Sequence, residues 1–99
     1  MNTWRLAASN THLYPGARLR SMDASARKHL QAGDAIVIEF ADQGLAKGEV
    51  VEASAQTWAL RLDAHTTARG AAIEAKRWLL QWLPPGELAG TMKIKARVS

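Results

Sequence analysis

A run of β-strand patterns between Gly33 and Asp63 constrains the fold of this chain more than any other feature. A period of two places every second side chain on the same side of an extended strand, and β-branched residues, which strands favour, are frequent here. The predicted inward positions are Ile36, Ile38 and Phe40 in the first run and Trp58, Leu60 and Leu62 in the last. We therefore predict that these two runs are strands of the core.

A return strand is predicted between the two runs, over residues 45–54. It follows a short polar turn at residues 42–44, which suits a hairpin between antiparallel strands. Gly48 weakens this strand and indicates either a β-bulge or a close approach of two backbones. The three strands together predict an antiparallel meander.

Three further elements are predicted around the meander. Residues 2–8 and 91–98 alternate and predict strands at the two ends of the chain, whereas residues 9–16 are rich in turn-forming residues and predict a loop. In the last strand, alternation places lysines and an arginine on the face opposite Met92 and Ile94. One short helix is predicted near residues 22–31, because Ser21 or Asp23 can cap its start and Gly33 follows its end.

Residues 72–83 are compatible with either a strand or a helix. As a helix, Trp78, Leu79 and Trp82 share one face, and as a strand Trp78, Leu80 and Trp82 do. A strand is slightly favoured, because the neighbouring elements are strands. Two prolines and a glycine at residues 84–86 end the element in either case.

The order of these elements predicts a mainly β fold at the α+β boundary. We expect a small antiparallel sheet, barrel-like or strongly curved, with the short helix closing one end. A chain of 99 residues is too short for two independent cores, so residues 1–99 are predicted to form a single domain. No run of residues approaches the roughly 18 to 20 apolar residues of a membrane-spanning helix. Because the chain has no cysteine, a reducing compartment, the cytoplasm, is the expected location.

The net charge of +4 is distributed unevenly along the chain. Residues 1–33 and 64–99 each sum to +4, and residues 34–63 sum to −4. One interpretation is that the basic terminal strands lie beside the acidic central ones and neutralise them across the sheet. The other is that the basic ends form a face for an anionic partner.

Sequence motifs give no support to a catalytic function. Ser25 and Lys28 match an S-x-x-K pattern, but the further motifs of the enzymes that use this pair are missing, and the pattern is typical of a solvated helix face. No phosphate-cradling glycine motif occurs, and none of the three histidines belongs to a metal-binding pair. We therefore predict a protein that is not an enzyme, with no cofactor, no metal and no catalytic residues.

A binding function is predicted instead, because several cations lie close to aromatic residues in the sequence. The candidate binding surface consists of Arg5, Arg77, Trp78, Trp82, Lys93, Lys95 and Arg97. The first hypothesis is a binding or adaptor module that contacts another protein or a second copy of itself, through a strand edge or through exposed tryptophans. The second is a small nucleic-acid-binding β-barrel that uses its basic terminal strands. Neither hypothesis involves a membrane.

Overall fold

The computed structural model describes residues 3–22, 30–54, 56–66, 72–73, 76–83 and 90–98. Within these ranges all regular structure is β-strand. The strands are β1 (Thr3–Ala8), β2 (Arg18–Ser21), β3 (Ala35–Glu39), β4 (Leu45–Ala53), β5 (Thr57–Leu62), β6 (His65–Thr66), β7 (Ala72–Ile73), β8 (Lys76–Trp82) and β9 (Thr91–Val98).

Seven of these strands form a closed barrel in the order β1-β2-β9-β8-β5-β4-β3. Every neighbouring pair is antiparallel except β1 and β3, whose parallel pairing closes the barrel. β6 and β7 pair with each other in a separate two-stranded sheet. Closure leaves none of the seven barrel strands with a free edge, the usual solution for a small β domain.

The barrel interior is filled by the apolar side chains of alternate strand positions. All four tryptophans of the chain are buried there, and the rings of Trp58 and Trp82 lie 6.4 Å apart. The largest fully buried side chains besides Trp58 are Leu6, Leu19, Ile36, Ile38, Val50, Leu60, Leu62, Leu80, Met92 and Ile94. Burial of so many bulky side chains makes this interior the main source of stability.

The predicted mainly β, barrel-like fold is confirmed, and so is the central meander of β3, β4 and β5. The ambiguous segment 72–83 is strand over Lys76–Trp82, because β8 pairs on both sides, with β5 and with β9. β2 was not predicted. The helix predicted near residues 22–31 falls largely on residues 23–29, which lie outside the described part of the chain.

Gly48 marks a close backbone approach, one of its two predicted roles. It pairs with Leu62 on β5 and Ile36 on β3, and a Cβ atom at position 48 would overlap the carbonyl oxygen of Arg61. The register between β4 and β5 also shifts two residues further on, between Val50 and Glu52. The glycine therefore lets three neighbouring strands approach at this point of the barrel.

A buried carboxylate fixes the start of β3 against β1. Asp34 is buried, and its side chain accepts hydrogen bonds from Trp4 Nε1 at 2.9 Å and from the backbone N–H of Gln31 at 3.0 Å. Hydrogen bonding compensates the cost of removing the carboxylate and the indole N–H from water. This contact joins two strands that run parallel, across the seam where the barrel closes.

Candidate functional site

Charge divides the barrel into two halves. The neighbouring strands β2, β9 and β8 contain no acidic residue, and we call them the basic half. The cations of the basic half are Arg18, Arg20, Lys76, Arg77, Lys93, Lys95 and Arg97. The other four strands, β1, β3, β4 and β5, form the balanced half, whose cations Arg5, Lys47 and Arg61 are matched in number by Glu39, Glu49 and Glu52.

The register across the basic half brings like charges together on the outside of the barrel. Arg18 lies directly opposite Lys93, and on its other side Lys93 lies opposite Gln81. Directly opposite residues of antiparallel strands project to the same side of the sheet, and like charges at such positions are destabilising. Two cations therefore lie side by side at this point of the outer face.

The outward cations of the basic half are Arg18, Arg20, Arg77, Lys93 and Lys95, and we call this set the basic wall. Lys95 is exposed and lies at the point where the register between β8 and β9 shifts, between Leu79 and Leu80. Arg77 is exposed on β8, opposite Arg61 of the balanced half. In the described part of the chain, no carboxylate pairs with Arg20, Lys93 or Lys95.

The alternation predicted for β9 is wrong after Lys95, because the register between β8 and β9 shifts there. The sequence places Arg97 on the same face as Lys93 and Lys95, but in the structure Arg97 lies opposite the buried Trp78 and so belongs to the inner side. Its side chain is exposed because it stands near the end of the strand. One extra residue on β9 thus moves all later side chains to the opposite face.

The other predicted surface residues are separated by the fold. Trp78 and Trp82 are each 6% exposed and belong to the core. A docking surface made of exposed tryptophans is therefore not present at these two residues. Arg5 lies in the balanced half, where it forms an ion pair with Glu39. Of the seven predicted residues, the structure brings together Arg77, Lys93 and Lys95 on adjacent strands.

Ion pairs neutralise the balanced half. Besides Arg5 with Glu39, Arg61 donates to the carboxylate of Glu49 at 2.6 Å, on neighbouring strands of the meander. The predicted neutralisation of the acidic centre by terminal strands holds for β1, which pairs with β3. It does not hold for β9, because β9 lies between β2 and β8 and pairs with neither β3 nor β4.

Two arginines were missed by the sequence reasoning. Arg18 and Arg20 flank the buried Leu19 in β2, and both are exposed. The alternation Arg-Leu-Arg is the signal that could have identified this strand, but four residues are too few to show a period. Both arginines line a shallow cleft of about 400 Å³ between β1 and β9.

An aromatic residue stands in the loop that leads into β2. Tyr14 is 38% exposed, its ring lies 5.3 Å from that of His12, and its hydroxyl is 2.6 Å from Asn10 Nδ2. The loop is fastened to β9, because the N–H groups of Gly16 and Ile94 bond to the carbonyls of Ile94 and Ala17, each at 2.8 Å. The loop thus carries an exposed ring, and its last residues are bonded to β9.

Comparison of the chain with models of protein families, with curated proteins and with solved structures finds no match. Among the described residues, no group of three or more histidine, aspartate or glutamate side chains is arranged to hold a metal ion. The same part of the chain contains no helix that could cross a membrane. The fold and the site thus describe a small closed β-barrel with one basic half.

Proposed function

We propose that the protein binds nucleic acid, with the basic wall contacting the phosphate backbone. The observation that supports this proposal is the segregation of charge: three neighbouring strands contain seven cations and no acid, while the other four are balanced. A sequence pI of about 10.0 with lysine and arginine gathered on one side of a domain is the electrostatic footprint of a nucleic-acid-binding protein.

Backbone contact is the mode that these side chains support. Lysine and arginine that neutralise phosphates release counterions, and this gain is independent of base sequence. Contacts to phosphates fix the position of a strand without reading its bases. We therefore infer binding with weak sequence preference and with an affinity that falls steeply as salt increases.

Tyr14 supports a preference for single strands. Aromatic rings accept unpaired bases by stacking, and a ring held beside a basic groove is the usual arrangement in proteins that bind single strands. The tryptophans of the predicted binding surface, Trp78 and Trp82, are buried and cannot serve in this way. The loop of residues 9–17, whose last residues are bonded to β9, supplies the exposed ring of Tyr14 in their place.

The adaptor hypothesis has less support from the geometry. It relied on exposed tryptophans or on a strand edge, and the tryptophans are buried while the seven barrel strands are all paired. The exposed large apolar side chains of the described strands, Leu45 and Val98, lie on β4 and β9, which are not neighbours in the barrel. Charge thus distinguishes the two sides of the barrel better than apolarity does.

The test compares two triple variants that remove the same amount of charge. Arg77→Gln/Lys93→Gln/Lys95→Gln neutralises three residues of the basic wall, and Arg5→Gln/Lys47→Gln/Arg61→Gln neutralises the three cations of the balanced half. Fluorescence anisotropy with a labelled single-stranded oligonucleotide measures affinity at salt concentrations between about 50 and about 200 mM. Circular dichroism verifies that both variants are folded.

The basic-wall variant is expected to bind about a hundredfold more weakly at the lowest salt and to lose about two from the slope of log K against log salt. The balanced-half variant should keep the slope of the unmodified protein. Equal losses in the two variants would show that only net charge matters. Absence of binding by the unmodified protein at about 50 mM salt would refute the proposal.

A further inference from the structure

The cleft on β2 is a concave part of the basic wall. Its volume is about 400 Å³. The lining residues are Ala7, Ala8, Ser9, Arg18, Leu19, Arg20 and Thr91, none of them acidic. The structure therefore offers a concave surface with two guanidinium groups and two hydroxyl-bearing side chains.

Strand register explains why a cleft exists at this point. Arg20 lies opposite Ala7 of β1 on one side and opposite Thr91 of β9 on the other, so the three residues form one row across the outer face. Ala7 is small, and the next outward residue at the end of β1 is Ser9. Small side chains on β1 beside long ones on β2 leave the depression that Arg18 and Arg20 border.

Thr91 carries the second observation that points to a ligand. Its side chain is 8% exposed and lines the cleft, yet its Oγ1 atom has no hydrogen-bond partner in the described structure. A buried hydroxyl without a partner costs about 1 to 3 kcal/mol, so such groups are rare. A ligand with acceptor oxygens in the cleft would bring acceptors next to this residue.

We propose that this cleft seats one phosphate group of the bound nucleic acid, held by Arg18 and Arg20 with the Thr91 hydroxyl beneath. The inference rests on the proposed function and identifies where on the basic wall a phosphate is fixed. Arginine presents its donors as a planar fork that matches two phosphate oxygens, and lysine cannot reproduce that geometry. The seated group is either an internal phosphodiester or a terminal phosphate of the strand.

Two arginine-to-lysine substitutions test the geometry without changing charge. Arg20→Lys alters the cleft, and Arg61→Lys is the matched control in the balanced half, outside both the cleft and the basic wall. Affinity is measured by anisotropy for one oligonucleotide sequence with a 5′-phosphate, with a 3′-phosphate and with neither. We expect Arg20→Lys to weaken binding about tenfold, the loss of one charge-assisted bidentate contact, while Arg61→Lys leaves affinity unchanged.

The oligonucleotide set identifies the source of the phosphate. A tenfold loss with all three oligonucleotides supports an internal phosphodiester in the cleft, and a loss confined to one phosphorylated end supports a terminal phosphate. Either result supports the seat. Equal effects of the two substitutions, with the unmodified protein binding normally, would overturn the seat and leave the proposed function intact. No binding by the unmodified protein would overturn both.

Thr91→Val provides a second test, whose expected result differs from the loss of stability that a folding defect would cause. Valine keeps the shape of threonine and removes the unpartnered hydroxyl, so the free protein should melt at a higher temperature. If the hydroxyl contacts the phosphate, the same variant should bind the oligonucleotide several-fold more weakly. A variant that is stabilised but binds with unchanged affinity would show that Thr91 takes no part in the seat.

Discussion

The balanced half and the basic half share one hydrophobic interior but differ in what lies outside it. On β1, β3, β4 and β5, acids and cations occur in equal number, and Arg5 with Glu39 and Arg61 with Glu49 are close pairs. On β2, β9 and β8 every charged residue is a cation, and Arg18 lies directly opposite Lys93. We infer that the first half is arranged for stability and that the second, under the proposed function, presents its charge to phosphate groups.

This comparison predicts that substitutions in the two halves separate stability from binding. A change in the balanced half should lower the free energy of unfolding and leave the affinity of the folded protein intact. A change on the basic half or in the loop beside it should do the reverse. Three substitutions, taken from the largest expected effect to the smallest, test that separation.

Gly48→Ala should have the largest effect, a loss of about 3 kcal/mol in the free energy of unfolding. A Cβ atom there overlaps the carbonyl oxygen of Arg61, and the backbones of β4 and β5 must move apart to admit it. Urea denaturation followed by tryptophan fluorescence measures the loss. Ala53→Val, at an exposed position of the same strand, is the control and should stay within about 0.5 kcal/mol of the unmodified protein.

Asp34→Ala should cost about 2 kcal/mol, because it leaves the buried Trp4 indole N–H without its acceptor. In a Trp4→Phe background that N–H is absent, and the same substitution should cost less. A double-mutant cycle by urea denaturation measures the difference. Equal costs in both backgrounds would show that the hydrogen bond between Trp4 and Asp34 does not join β1 to β3 energetically.

Tyr14→Ala should have the smallest free-energy effect of the three, a loss of about tenfold in affinity for a single-stranded oligonucleotide. The expected cause is the loss of one stacked base, and the thermal stability should change little because the ring is exposed. Tyr14→Phe keeps a stacking surface and is the matched control. An equal loss of affinity in both variants would contradict stacking of a base on Tyr14, and so would an equal loss of affinity for duplex and single strand.

The interior was predictable from the sequence, whereas the functional surface depended on strand order. Alternation identified Trp58, Leu60 and Leu62 because burial on one side imposes a period of two. It could not decide residues 72–83, where apolar residues suit both periods, until pairing with β5 and β9 fixed the strand. Which strands become neighbours is a tertiary property that no local pattern contains.

The candidate site shows the same limit at the level of single residues. Lys93 and Lys95 were predicted as outward cations, but the single-residue register shift that moves Arg97 to the inner side has no signature in the sequence. Arg18 and Arg20 belong to a strand too short to show a period. They complete the basic wall only because β2 is inserted between β1 and β9.

A titration of the ¹⁵N-labelled protein with a single-stranded oligonucleotide, followed by backbone amide chemical shifts, tests the central claim most directly. The two halves predict opposite responses in one spectrum. Perturbed amides should concentrate on β2, β9 and β8 and in the loop that carries Tyr14, and they should return towards their free positions as salt is raised. Perturbations centred on β3 and β4, or no perturbation at about 50 mM salt, would contradict the account.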